Sequence, residues 1–250
     1  MKPAPALSSI DAVILAGGLG TRLQTVVSDR PKPLAAIQGR PFLDLLVDDL
    51  LRQGLRRIVL CISHQREQIV AHFQARRDAE FLFSEETSPL GTGGAVRHAL
   101  PLIAGNPFLL LNGDSFCRVD LAALLAFHET RGARASIVVT AARGRNDGGN
   151  IELAADGRIS AFREKAAAAT GRPALINAGI YVLSRDLPAG WQQPDPLSLE
   201  RDVFPQLATA GGCFGFPVES EVIDIGTPER YADAQHRLPG TAGGKPDTPR

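Results

Sequence analysis

Residues Ala12-Val13-Ile14-Leu15 form an unbroken apolar run, and the chain then enters Ala16-Gly17-Gly18-Leu19-Gly20-Thr21-Arg22. A strand without polar alternation is buried on both faces, as strands of parallel sheets are. The pattern recurs. Pro41 to Gln53 carries apolar residues at Phe42, Leu45, Leu46, Leu50 and Leu51, a helical spacing, with Gly54 just past the end. Ile58 to Ile62, Phe81 to Phe83 and Phe108 to Leu111 read as further strands. Glu67 to Phe73 and Gly91 to Leu100 read as helices between them. This alternation predicts an α/β fold with a doubly wound, mainly parallel, Rossmann-like sheet. Ligands of such sheets bind at the carboxyl ends of strands. The loop after Leu15 and the Asn112-Gly113-Asp114 turn are therefore predicted to face one crevice.

The second half is richer in strand. Ala135 to Ala141, Ala178 to Leu183 and Cys213 to Val218 read as strands, and residues 150–153 and 158–162 as a hairpin around Asp156-Gly157. Thr227-Pro228 begins a closing helix that runs to His236. One domain over residues 10–238 is expected, with halves of about 10–130 and 131–238. Residues 1–9 are expected to be flexible, and 239–250, rich in Gly, Pro and Thr, disordered.

Lys+Arg and Asp+Glu number 27 each, so the net charge is zero and gives no case for nucleic acid or an anionic membrane. No segment approaches the roughly 20 apolar residues of a membrane helix. Cys61, Cys117 and Cys213 are too few and too scattered for a disulfide framework or a zinc cluster, and a reducing cytoplasm is expected. A homo-oligomer is compatible with the sequence.

Glycines after a strand let backbone amides approach an anion. Arg22 adds a planar cation suited to phosphate oxygens, and Pro31 and Pro33 stiffen the backbone of Lys32 between them. Together these residues point to a triphosphate site, although the glycine cluster alone also reads as a plain tight turn. The loop is no P-loop, since Gly-Lys-Ser/Thr is absent. Nor is it the dinucleotide fingerprint, which needs glycine where Leu23 stands. Asp114 follows a strand and Asp224 precedes the closing helix. Each alone reads as a turn or cap residue, but carboxylates facing phosphates call for a cation.

The stretch LAGGLGTRLQTVVSDRPKPL, from Leu15 to Leu34, resembles the signature of the sugar-1-phosphate nucleotidyltransferases. The chain departs from many members at Gln24-Thr25-Val26-Val27. The resemblance continues through SPLGTGGA, NGDSF, FREK, Asn177-Ala178-Gly179 and VIDIGTPERYADAQ, and spans about Asp11 to Arg237. It implies that Leu15, Ala16, Gly17, Gly18, Gly20, Thr21, Arg22, Lys32, Gly91 and Thr92 surround the nucleotide. Glu85 is expected near the base, and amides at the start of the helix after Gly91 near the ligand. It also implies that Gly149, Glu164, Lys165 and Asn177 hold the sugar phosphate, and that Asp114 and Asp224 bind Mg²⁺. Arg22, Lys32, Asp114 and Lys165 are the expected catalytic residues. The expected substrates are GTP and D-glycero-α-D-manno-heptose 1-phosphate. Mannose 1-phosphate is next, then uridylyl, thymidylyl or cytidylyl transfer to another hexose phosphate. A metal-dependent glycosyltransferase would show Asp-x-Asp where this chain has Asp114-Ser115-Phe116. An inactive regulatory homologue would have lost some of Arg22, Lys32, Asp114 and Asp224, and all four are present.

Overall fold

The computed structural model describes residues 6–143, 150–163 and 174–238. The first half comprises β1 (Asp11–Leu15), β2 (Ala36–Ile37), β3 (Arg40–Pro41), α1 (Phe42–Arg52), β4 (Arg57–Ile62), α2 (Arg66–Phe73), β5 (Glu80–Glu85), α3 (Gly91–Ala99), β6 (Phe108–Asn112), β7 (Ser115–Phe116) and α4 (Leu121–Arg131). The second comprises β8 (Ala135–Ala141), β9 (Asn150–Leu153), β10 (Ile159–Arg163), β11 (Leu175–Leu183), α5 (Phe204–Thr209), β12 (Cys213–Pro217), β13 (Ile223–Asp224) and α6 (Pro228–Arg237).

Strands β6, β1, β4 and β5 lie side by side and parallel, as the apolar runs predict. Antiparallel β11 extends this block from β6 and carries β8 on its other edge. The β9–β10 hairpin joins through β9, and β12 pairs parallel with β8. Both faces of the parallel block are covered. Ile14, Leu60 and Leu109 pack with Phe42, Leu46, Ile69 and Phe73 of α1 and α2. Val13, Val59 and Leu110 pack with Val96 and Ala99 of α3 and with Phe204. Each such fully buried aliphatic side chain contributes about 1.5–3 kcal/mol. The charged start of β1 is also satisfied, because buried Asp11 accepts from the Arg57 guanidinium at 2.9 Å and from the amide of Gly105 at 3.0 Å.

Helix α4 has no counterpart in the sequence reading, though Asp120 caps it by accepting from the Ala123 amide. Its buried positions, Leu121, Leu124, Leu125 and His128, have helical spacing. Of the segment expected to be flexible, Leu7–Ser9 forms a 3₁₀ turn and Leu7 packs on the core. The expected tail from 239 lies outside the described residues, as do Gly149, Glu164 and Lys165. Among the described residues, no helix is long and apolar enough to cross a membrane. The three cysteines are free and buried.

Candidate active site

The carboxyl ends of β1 and β6 are in register, Leu15 opposite Asn112. The Gly113 amide donates to the Leu15 carbonyl at 2.9 Å. A Cβ on Gly113 would stand 2.6 Å from that oxygen, so only glycine brings the Asp114 turn this close to the glycine loop. On the other side of the loop, Gly20 has a left-handed φ of 62°, and a Cβ there would meet the Lys32 Cβ at 2.8 Å. Pro31 and Pro33 are buried, and Lys32 opens a short 3₁₀ turn between them. The lysine stem therefore lies over Gly20, and its Nζ donates to Asp114 Oδ2 at 2.5 Å.

Asp224 arrives by a short device. The two-residue strands β7 and β13 pair antiparallel with Ser115 opposite Asp224, and the Ile225 amide donates to the Asp114 carbonyl at 3.0 Å. The two carboxylates thus stand on adjacent backbones although 110 residues separate them in sequence. Asp224 is buried, and its Oδ1 accepts from the Gly226 amide at 2.9 Å and from the Arg230 guanidinium at 3.3 Å. Exposed Arg22 brings Nη2 to 3.8 Å from where a Gly226 Cβ would stand. Arg22, Lys32, Asp114 and Asp224 therefore converge, as expected.

A cavity of about 310 Å³ opens beside this cluster. It runs across the strand ends, from Asn112 and Asp114 after β6 to Glu86 after β5. Three strand spacings put about 14 Å between the backbones of β6 and β5, and the Glu86 side chain reaches back toward the glycine loop, its Oε1 3.3 Å from where a Gly17 Cβ would stand. Of the residues expected at the nucleotide, Leu15, Gly17, Gly18, Gly91 and Thr92 line it. Ala16 is buried behind the wall with its amide on the Cys61 carbonyl, Gly20 supports Lys32, and Thr21 is exposed.

Two expectations change. Glu85 does not line the cavity; it is exposed, with its Oε2 3.2 Å from Arg66 Nε. The next residue, Glu86, does. Consecutive side chains on an extended backbone point to opposite faces, so a shift of one residue decides which carboxylate faces inward. Glu86 accepts from the Leu90 amide at 3.3 Å, and burial raises its pKa above the ordinary carboxylate value. The second correction concerns α3. The amides of Gly93 and Gly94 donate to the Leu197 carbonyl at 2.8 and 3.4 Å, so they are not aimed at a ligand. The glycines are there for packing: Cβ atoms at Gly91 and Gly94 would stand 2.4 Å from the Leu197 carbonyl and 2.3 Å from Asp195 Oδ1. The Thr92 hydroxyl tightens the same contact, donating to Glu200 at 3.0 Å and accepting from the Leu199 amide at 2.9 Å. The 195–200 strap thus links the cavity wall to the second half of the chain.

Gly91→Ala tests this packing. Its φ of 75° and the backbone carbonyl behind it should together destabilise the fold by about 2–5 kcal/mol. Denaturant unfolding reads the loss, and an unchanged midpoint would show that the strap does not need the glycine.

In β11, the Asn177 amide donates to the Tyr181 hydroxyl at 2.8 Å and accepts from the Gly179 amide at 2.8 Å. His72 and His98 hold structural contacts, with Asp44 and with the Glu85 carbonyl.

Residues 11–239 match the family described as Nucleotidyl transferase. The D-glycero-alpha-D-manno-heptose 1-phosphate guanylyltransferase of Aneurinibacillus thermoaerophilus is 31% identical over 230 residues, covering 92% of this chain and 98% of that one. Mannose-1-phosphate guanylyltransferase 1 of Arabidopsis thaliana is 33% identical, but the match covers 88% of this chain and only 62% of that one. The crystal structure of HddC from Yersinia pseudotuberculosis complexed with GMP-PN superimposes with a TM-score of 0.77 at 33% identity, covering 91% and 99% of the two chains. A putative glucose-1-phosphate thymidylyltransferase of Bacillus anthracis shares the fold, with a TM-score of 0.80 at 16% identity. With its signature loop, paired carboxylates and cavity in these places, the chain belongs to the nucleotidyl transferase family.

Proposed function

We propose that this chain joins GTP to a sugar 1-phosphate, forming a GDP-sugar and pyrophosphate. The observation that carries the reading is the polarity of the cavity: a buried carboxylate, Glu86, at one end and the Lys32–Asp114 pair at the other. A carboxylate offers two acceptors side by side. Guanine presents two adjacent donors on its Watson–Crick edge, N1–H and the N2 amine. Adenine and cytosine each pair one donor with an acceptor, and uracil sets one donor between two carbonyls. Glu86 therefore favours guanine.

D-glycero-α-D-manno-heptose 1-phosphate is the proposed sugar. Two guanylyltransferases named for that sugar phosphate are 31% and 33% identical to this chain, over 230 and 233 residues. Mannose 1-phosphate is the second choice.

The reaction is an in-line displacement. A phosphate oxygen of the sugar 1-phosphate forms a bond to the α-phosphorus, and the bond from that phosphorus to the bridging oxygen of pyrophosphate breaks. The nucleophile is already ionised near neutral pH, so positioning and charge neutralisation carry the rate rather than a general base. Arg22 and Lys32 offset charge on the triphosphate and the departing pyrophosphate. Lys165, with Glu164, Gly149 and Asn177, holds the sugar phosphate.

Asp114 and Asp224 fit a hard divalent cation, since both offer carboxylate oxygens from adjacent backbones. No group of three or more His, Cys, Asp or Glu converges among the described residues. Mg²⁺ fits that count, because it is held by one or two carboxylates plus substrate phosphates. When bound, it supplies charge neutralisation at the reacting phosphates. The free, buried cysteines fit a reducing, cytoplasmic setting.

The test is a matrix assay: five nucleoside triphosphates crossed with a panel of sugar 1-phosphates, with pyrophosphate measured. GTP with the heptose phosphate is expected to be the best pair. If another pair turns over and this one does not, the substrate assignment is wrong. If no pair turns over, the proposed reaction is wrong.

A further inference from the structure

The sheet carries an irregularity beside the sugar-side asparagine. Along β11, Asn177 pairs with Val139 and Tyr181 with Ile137, so four steps on β11 oppose two on β8. Gly179, at a left-handed φ of 75°, sits within this bulge. A bulge re-aims nearby side chains. Here it brings the Asn177 amide onto the Tyr181 hydroxyl at 2.8 Å while Asn177 Oδ1 takes the Gly179 amide. The tyrosine is fully buried, with its ring against Phe204 at 5.0 Å between centroids. It is thus a fixed post, not a mobile side chain.

Asn112 belongs to the same group. Its Nδ2 would stand 3.0 Å from a Gly179 Cβ, and its amide also faces the Tyr181 hydroxyl. Asn112 lines the nucleotide cavity, and its Oδ1 is buried with no hydrogen-bond partner among the described residues. Asn112, on the cavity wall, thus packs against the same bulge that holds Asn177 and Tyr181.

We infer that Tyr181 is a positioning residue for the sugar 1-phosphate: its hydroxyl fixes the Asn177 amide so that the remaining N–H and lone pair of that amide meet sugar hydroxyls. The inference rests on the proposed transferase reaction. With one hydrogen on Tyr181 and one lone pair on Gly179, the Asn177 amide keeps one donor and one acceptor. A pair so held matches a sugar hydroxyl, which both donates and accepts. Without the phenol oxygen only the Gly179 amide still holds the Asn177 side chain, and the fixed pair is loosened. Asn112 carries a weaker echo of the change to the nucleotide side.

Tyr181→Phe keeps the ring and removes only the oxygen. Initial rates would be measured with GTP and whichever of heptose 1-phosphate and mannose 1-phosphate turns over in the wild type. The KM for the sugar phosphate is expected to rise about tenfold, that for GTP about threefold or less, with kcat changed less than either. In an Asn177→Ala background, Tyr181→Phe is expected to add less than twofold, because the group it orients is gone. A merely structural tyrosine would lower the melting temperature and leave both KM values alone. The inference is overturned by a sugar-phosphate KM within twofold of wild type, by an equal or larger effect on GTP, or by a full tenfold effect in the Asn177→Ala background. A wild type that turns over no pair sinks the reaction itself, and this inference with it.

Discussion

Asp114→Ala and Lys32→Ala are each expected to cut turnover by about 10²-fold or more, the scale seen when one electrostatic stabiliser is removed. The two groups form one unit, Nζ to Oδ2 at 2.5 Å, at the phosphate end of the cavity. Loss of folding will not explain the drop. The pair is part-buried, with the Lys32 side chain 11% and the Asp114 side chain 38% exposed, and water on the Asp114 side holds its net stabilisation to about 1 kcal/mol. That shifts melting by about 2–4 °C in a chain of this size. The two losses should differ in form. Without Lys32, Asp114 faces the triphosphate with its nearest cation gone, so the KM for GTP rises together with the fall in kcat. Without Asp114, a carboxylate expected to hold the cation is missing and kcat carries most of the loss. The double variant should fall far short of the product of the two, because residues acting as a unit are not additive. Near-normal turnover by either folded variant would remove that residue from the catalytic assignment.

How much of this was legible before the structure follows from what kind of signal each part left. The β1 run and its glycine loop are local, and so is the rigid Pro31-Lys32-Pro33 unit; all stand where the sequence puts them. The approach of Asp114 to Asp224 is not local. It depends on two-residue strands with no apolar pattern of their own, paired across more than 100 residues. Only likeness to a family made that pairing expected. The second glycine cluster has a packing role that the sequence did not reveal. Gly91 and Thr92 line the cavity as expected, but a Cβ at Gly91 would also meet the Leu197 carbonyl and one at Gly94 the Asp195 carboxylate, and glycine alone does not tell close packing from approach to a ligand. Helix α4 went unread although its marks are local: Asp120 caps it, Leu121, Leu124, Leu125 and His128 face inward, and Gly132 takes the left-handed conformation at its end. The bulge that joins Asn177 to Tyr181 leaves only a glycine as its mark, and glycines mark many other things.

Glu86→Gln is the substitution expected to move base preference most. Glutamine is nearly the same shape, but it replaces one of two acceptors with a donor. Against guanine it loses a charge-assisted hydrogen bond, worth about 1.5–3 kcal/mol, and turns an amine toward the base's own donors. The kcat/KM for GTP should therefore fall about 10²-fold. Uracil suits the amide better, since its N3–H meets the amide oxygen and a carbonyl meets the amine. The ratio of GTP to UTP should fall further than GTP alone. A pH series separates charge from shape. Burial raises the Glu86 pKa, and the charged form is the one that accepts both donors. Wild-type affinity for GTP should thus weaken as pH falls through that raised value, and the glutamine variant should lack this step. Stability without ligand runs the other way. A carboxyl whose folded pKa is raised costs stability when charged and returns it on acidification. The variant should therefore be at least as stable as wild type at neutral pH while binding GTP less well. If the GTP to UTP ratio is unchanged in the folded variant, Glu86 does not read the base, and the case for guanine from this cavity is lost.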